Sequence, residues 1–398
     1  MAVSALIGVG CGGGGGSSDK GTIKVGASLP LTGDFSEPGK AAKQGYQVWQ
    51  AIVNEQGGLV DGRKVQMVIK DDASNQNTVV ADYNALISKD KVQMLLGTFS
   101  SLLNLPASAV AERNRMLYVE PAGGSPEMFS RGFKYLFFAQ QATADHQGDV
   151  FSNYVKGLPP DQRPKTAAYP TLDDPFAQPT SQGIEKILKA AGIKTVYRKT
   201  YTIDQKNFDS IANSVKASGA DLVVNGATFE DGVGFVRALL KIGYTPKMLY
   251  QTTAPSLGDQ YAKALGKGNT EGIFYAVSHS AKAKTPGNEQ FVAKYKQMFG
   301  GTEVPEDAAD AYATAQVMQA AVKAVGGIDD QAKLADWLRN NKVDTILGPL
   351  EWDEAGRPQG QFLVGQWQNG APEIILPKGA TATTQSIVPE WKPSGAGT

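Results

Sequence analysis

The chain has few of the groups that carry metal, redox or nucleic-acid chemistry. Its 398 residues include one cysteine, Cys11, so neither an internal disulfide nor a cysteine-based zinc site can form. Its two histidines, His146 and His279, stand far apart in sequence. No metal and no cofactor is expected. Lys and Arg number 39, and so do Asp and Glu, which leaves no net charge. A nucleic-acid partner would need a basic face, so none is expected. No apolar run reaches the roughly 20 residues that span a bilayer. The length exceeds one typical domain and points to two.

What is present begins with a small, apolar segment, Met1 to Gly10, followed by Cys11 and a Gly/Ser stretch from Gly12 to Ser18. Such a stretch is a flexible tether. The combination resembles a bacterial lipoprotein signal, which would make residues 1–21 a leader and linker and Cys11 the lipidated residue. The alternative is a disordered start with a chance cysteine.

From Lys20 onward strands and helices alternate. Ile23–Leu29, Val65–Ile69, Val92–Leu96 and Met116–Val119 read as strands. Helices over Gly39–Asn54, with Ala42, Tyr46, Trp49 and Val53 on one face, and over Gln76–Ser88 separate them. Near Gln140 the rhythm restarts, with strands near residues 166, 196, 222, 248 and 272. Long helices are expected over Asn288–Phe299 and Ala308–Val325, and short strands near residues 350 and 361. Pro, Thr, Gly and Ser dominate after Pro377, so 377–398 reads as a tail. This order predicts an α/β fold of two doubly wound parallel-sheet lobes, each covered on both faces. Ligands of such sheets sit beyond the carboxyl ends of the strands.

One such strand end is Gly97-Thr98-Phe99-Ser100-Ser101. Asn104 is expected to cap the following helix and Pro106 to sit in its first turn. Free N–H groups and the dipole at a helix start favour an anion, so Ser100 and Ser101 could hold a carboxylate. They could equally be cap and turn residues. Asp71-Asp72 and Asp173-Asp174 end strands, where Asp suits turns, and Asp307 and Asp310 suit a helix start.

Several stretches resemble the leucine/isoleucine/valine-binding protein family: Ile23–Gly26 with Leu31-Thr32-Gly33, Asn54–Leu59, Asp71–Ala73, Pro106–Ser108, Pro121-Ala122 and Val343–Glu354. They run in order from about 22 to 376. The resemblance implies a type I periplasmic binding protein, with two lobes joined by a hinge of three crossovers. Lobe one would comprise 22–141 and 279–346, and lobe two 142–278 and 347–376. It implies a monomeric, extracytoplasmic solute-binding protein that serves the membrane permease of an ABC importer.

Carried over by position, Ser101 matches the family's carboxylate-binding serine, with Ser100 beside it. Ala122 and Gly123 lie on the facing loop. Gly124 stands where many members have a threonine, Phe176 and Thr228 where tyrosines are common, and Thr252 where branched-chain amino-acid binders have a glutamate for the ammonium. The carboxylate end is kept, and the ammonium end has lost its charge unless Glu230 replaces it. Phe176, Phe229, Phe99 and Phe35 could wall the cleft. The expected solute is therefore a branched-chain or related amino acid, or an aromatic or aliphatic acid. A ligand-sensing receptor of the same fold is the alternative within the class. A serine hydrolase is disfavoured, because Gly97–Ser101 is not Gly-x-Ser-x-Gly.

Overall fold

A computed structural model describes residues 21–301, 303–378, 382–384 and 386–394. Cys11 and the Gly/Ser linker lie outside the described residues.

The first sheet contains β1 (Ile23–Leu29), β2 (Val65–Asp71), β3 (Met94–Leu96), β4 (Tyr118–Glu120) and β5 (Leu136–Phe138). All pair in parallel in the order β2-β1-β3-β4-β5. The apolar runs of β1 and β3 follow from cover on both faces, since a parallel sheet flanked by helices has no wet side. Helix Ser36–Glu55 supplies Tyr46, Trp49, Ile52 and Val53 to that core. It lies so close to helix Glu306–Val325 that a Cβ on Gly45 would stand 2.0 Å from the Ala308 carbonyl oxygen. Only glycine permits that approach.

The second sheet is built from β6 (Thr166–Leu172), β7 (Lys194–Tyr201), β8 (Leu222–Asn225), β9 (Met248–Gln251) and β10 (Phe274–Val277). A hairpin, β11 (Val343–Thr345) with β12 (Gly348–Leu350), is separate from both sheets. Then β13 (Leu363–Gln368) and β14 (Ala371–Leu376) extend the second sheet antiparallel, giving β14-β13-β10-β9-β8-β6-β7. The chain thus forms two α/β lobes and passes between them near Gln140, after β10 and before β13. Gln141 ties the three passages together. Its side-chain amide donates to the carbonyls of Ser278 and Leu347, both at 3.2 Å, and its own carbonyl accepts from Gly360 N–H at 2.7 Å.

Several expectations need correction. Leu347–Trp352 were assigned to lobe two, yet Leu347, Leu350 and Trp352 pack in the first lobe's core. Trp352 meets Phe137 edge-on, and its indole N–H donates to the Phe138 carbonyl at 2.6 Å. The third crossover therefore falls nearer residue 360. Asn104 is not a cap, because the helix runs Ser101–Arg113 with Ser100 as N-cap. Asn104 instead turns inward, holding Thr98 N–H at 3.2 Å, the Thr98 carbonyl at 2.8 Å and the Tyr118 hydroxyl at 2.7 Å. Pro106 lies inside the helix, where it cannot donate to the Leu102 carbonyl. The Gln76 side-chain amide donates there instead, at 3.1 Å. The region read as a tail is partly docked on lobe two. Trp391 is 3% exposed in the second core, its indole N–H bonded to the Asn269 carbonyl at 2.9 Å. Val388 pairs with the Gln366 side chain on β13 through both its N–H and its carbonyl.

Candidate functional site

A cavity lies between the lobes, at the carboxyl ends of β3, β4, β6, β8 and β9. The space between its walls is about 580 Å³, solvent at its mouth included. Lobe one contributes Phe99 and Ser100 after β3, Pro121 and Ala122 after β4, and Phe138 with Gln140. Lobe two contributes Asp174 and Phe176 after β6, Thr228 after β8, and Thr252 after β9. Helix Glu306–Val325 adds Glu306, Asp307 and Asp310.

The residues singled out from sequence divide accordingly. Ser100, Ala122, Phe176, Thr228 and Thr252 line the cavity, as does Phe99. Ser101, Gly123, Gly124, Phe229, Phe35 and Glu230 do not. Ser101 is fully buried, and its hydroxyl oxygen accepts the Ser125 N–H at 3.0 Å, which stitches the helix start to the facing loop. The neighbouring Ser100 hydroxyl is buried on the cavity wall without a hydrogen-bond partner. Gly123 donates its N–H to Glu120, and Ala122 does the same at 2.8 Å. A Cβ on Gly124 would point at Ala144 N, 3.3 Å away, so a side chain there would meet that backbone. Phe229 opens its helix one position after Thr228, and the helical turn directs it into the second core. Phe35 packs edge-on against Phe99 at 5.7 Å between ring centres. Glu230 is exposed on the outer side, by Lys206.

Two hydroxyls on the wall are already occupied. Thr228 Oγ1 donates to Asp231 Oδ1 at 2.7 Å, capping its own helix. Thr252 Oγ1 donates to the Ala227 carbonyl at 2.5 Å and accepts the Ala227 N–H at 2.9 Å. Their methyl groups and backbone are what remains for a solute.

The acids are the part that sequence reasoning missed. Asp174 Oδ1 accepts the N–H groups of Phe176 (2.7 Å) and Ala177 (3.1 Å), while its Oδ2 has no partner. Burial pushes its carboxyl up to about 6. Asp307 has an unpartnered Oδ2, and burial with Glu306 beside it pushes it up to about 8. Glu306 and Asp310 share Ser278, whose hydroxyl lies 2.7 and 2.6 Å from them, and burial raises both. Behind the lobe-one loop, Glu120 is fully buried and pushed up to about 8 despite accepting the Ala122 and Gly123 N–H groups. The Gln140 and Gln147 side-chain oxygens are unpartnered as well. The signal in the sequence was Glu306 and Asp307 side by side with Asp310 three to four residues on, near a helix start. A helix dipole accounts for such acids equally well, and only the placement of that helix distinguishes the two.

His279 does not line this cavity; it is buried against Phe291, with Nε2 at 2.7 Å from Asn288 Oδ1. Ser101 is bonded to Ser125 and His279 to Asn288, so the two are not paired as the hydrolase reading would need. Among the described residues, no group of three His, Cys, Asp or Glu could hold a metal ion. No helix among them is long and apolar enough to cross a membrane.

Comparison with known proteins agrees with this architecture. The profile of the periplasmic binding protein family matches residues 22–372. An amino acid binding protein of Pseudomonas aeruginosa is 26% identical, covering 89% of this chain and 92% of that relative. The Leu/Ile/Val-binding protein of Escherichia coli is 25% identical, covering 87% and 90%. Among solved structures, an ABC transporter solute-binding protein of R. palustris in complex with benzoate superposes with a TM-score of 0.78 at 20% identity, covering 92% of this chain and 99% of that one. That family is one of binding proteins rather than enzymes. The chain belongs to the periplasmic binding protein family.

Proposed function

We propose that the chain is the extracytoplasmic solute-binding component of an ABC importer, which captures a small carboxylate-bearing solute between its lobes and presents it to a membrane permease. The observation that carries this reading is a cavity walled from both lobes at the strand ends, with the unpartnered Ser100 hydroxyl at the start of helix Ser101–Arg113. The dipole and leading N–H groups of that helix suit a carboxylate. Ser100 and the backbone after it form the carboxylate end, with Ala122 opposite. Phe176 and Phe99 form the apolar wall, and Thr228 and Thr252 pack from lobe two. Lipid on Cys11 tethers the protein outside the cytoplasm. The names of the relatives support the solute classes, amino acids on one side and benzoate on the other.

Thermal-shift and small-angle scattering measurements with leucine, valine, benzoate and a phenylpropenoate test the reading. A bound solute raises the melting temperature by mass action and compacts the molecule by hinge closure. A melting temperature and a shape left unchanged by every one of these carboxylates would defeat it.

A further inference from the structure

A second cavity lies behind the first, between β10, β14 and helices Asn288–Phe299 and Glu306–Val325. The space between its walls is about 930 Å³, solvent at its mouth included. Lys282 stands on its rim, with a side chain 65% exposed and paired with Glu373 at 3.0 Å. Tyr275, Val277, Val304 and Ile374 are buried and give it an apolar lining. Among the described residues two line both cavities, Ser256 of lobe two and Glu306 of lobe one. Side chains with a cavity on either side form the wall between them. Protein interiors are close-packed, and a side chain flanked by voids forgoes dispersion contacts. Such a wall has to be held by bonds. Glu306 Oε1 accepts the Ser278 N–H, and the Ser278 hydroxyl lies 2.7 Å from it. The Ser256 hydroxyl donates to the Thr253 carbonyl at 2.9 Å.

We propose that Glu306, with Ser256, is a partition that limits the length of the solute: it ends the interlobe cavity, and a side chain cut back there would join the second cavity to it. The proposal rests on the reading that the interlobe cavity holds a carboxylate-bearing solute, and it adds which residue bounds the end remote from Ser100. An unbranched solute that extends as far as Glu306 meets a bonded side chain rather than free space. To go further it must push the carboxyl off Ser278 and strand the Ser278 N–H, and a stranded donor is costly. Forcing extra methylenes past an intact wall is penalised in the same way as overfilling a core. If the side chain ended at Cβ, the same solute would reach Tyr275, Val277 and Ile374 and bury further methylenes against them. Glu306 is therefore a specificity-determining residue that acts on length, through its size and its bond to Ser278 rather than through its charge.

Titration calorimetry on the full chain tests the partition with two homologous series, the straight-chain carboxylates butanoate, hexanoate, octanoate and decanoate and the 2-amino acids of the same lengths. The readout is the ratio of long-chain to short-chain affinity in whichever series binds. In the parent, affinity should drop by about 10-fold or more no later than the longest member. Glu306→Ala should bind that member at least about 10-fold better, relative to the short ones, as two further buried methylenes would give. Glu306→Gln keeps the size and an oxygen for Ser278, so it should keep the parent's ratio. Ser256→Gly thins the same wall from lobe two and should raise the ratio as well, which keeps the test open if Glu306→Ala does not fold. A parent without a drop, a ratio that neither Glu306→Ala nor Ser256→Gly raises, or one that Glu306→Gln raises equally, would overturn the partition while leaving the carboxylate reading intact. Parent and variants that bind no member of either series would overturn that reading and the partition with it.

Discussion

The two ends of the cavity are finished to different degrees. At the start of helix Ser101–Arg113 most polar atoms already have partners. Ser101 holds Ser125, Asn104 holds Thr98, and Glu120 holds Ala122 and Gly123. The exceptions there are the Ser100 hydroxyl and Gln140 Oε1 on the cavity wall, and Glu120 Oε1 behind it. Elsewhere on the lining Asp174 and Asp307 each keep an oxygen unpartnered, and burial raises the carboxyls of Asp174, Glu306, Asp307 and Asp310. The first end is a rigid cradle that asks little of a ligand. The second keeps buried oxygens without partners, which makes it the better candidate for selectivity. Selectivity gained this way is large, because binding the wrong solute leaves buried polar groups unmet.

The sharpest test of that contrast separates two adjacent serines. Ser100→Ala removes the hydroxyl on the cavity wall and should weaken binding of whichever carboxylate is captured by about 10- to 100-fold, since a hydrogen bond to a charged group contributes roughly 1.5–3 kcal/mol. Its melting temperature should stay near that of the parent. Ser101→Ala instead strands the buried Ser125 N–H, at a cost of roughly 1–3 kcal/mol of stability. Calorimetry paired with chemical denaturation reads both effects. If Ser101→Ala takes the binding and Ser100→Ala takes nothing, the assignment of the two hydroxyls is reversed.

The acid wall should also set the pH dependence of the empty protein. The folded-state pKa values of Asp307 (about 8) and Asp174 (about 6) lie above the ordinary 3.8. The folded state therefore binds more protons than the unfolded state between those values, and stability falls as pH rises through that window. Asp72, pushed up to about 7 by burial, and Glu120, to about 8, act in the same direction. Calorimetric melting should thus occur at a lower temperature at pH 8 than at pH 5.5. Asp307→Asn should recover part of the loss, with each 1 kcal/mol raising the melting temperature by about 1–2 °C in a chain of this size. A melting temperature that climbs from pH 5.5 to pH 8 would mean that these carboxyls are ionised and satisfied already.

How far the sequence could be read follows the same division. Helices Gln76–Ser88 and Asn288–Phe299 have the bounds that their periodicity predicts, and most strands agree within two or three residues. Local pattern determines these. The short strand Leu136–Phe138 and the strand Ala371–Leu376, with Pro372 within it and Pro377 behind it, carry too little pattern and depend on their neighbours in the sheet. The site divides likewise. Ser100 was legible from the strand-end rule, whereas Ala122, Phe176, Thr228 and Thr252 were singled out by the family resemblance, and all five line the cavity. Asp174 and Asp307 line the same cavity although more than a hundred residues of sequence separate them, and nothing local announces that. The second of two adjacent candidates was twice misjudged, at Ser101 and Phe229, because one helical step of about 100° turns a side chain from the cavity into the packing.

If the two ends set the affinity, the mouth should matter little. Lys206 of lobe two reaches Asp34 of lobe one at 3.0 Å, an ion pair joining the lobes beside the cavity. Their side chains are 68% and 43% exposed. Exposed pairs contribute roughly 0–1 kcal/mol, because water and salt screen them and two mobile side chains must be held still. Nearby, Ile203 packs on the apolar clusters of both lobes, and that contact is indifferent to salt. Lys206→Ala should therefore weaken solute binding by less than about 5-fold. The small deficit should vanish at about 1 M salt, where the screening length is near 3 Å. A larger loss, or one that salt leaves untouched, would mean that closure of the mouth contributes to affinity on a level with the cradle and the acid wall.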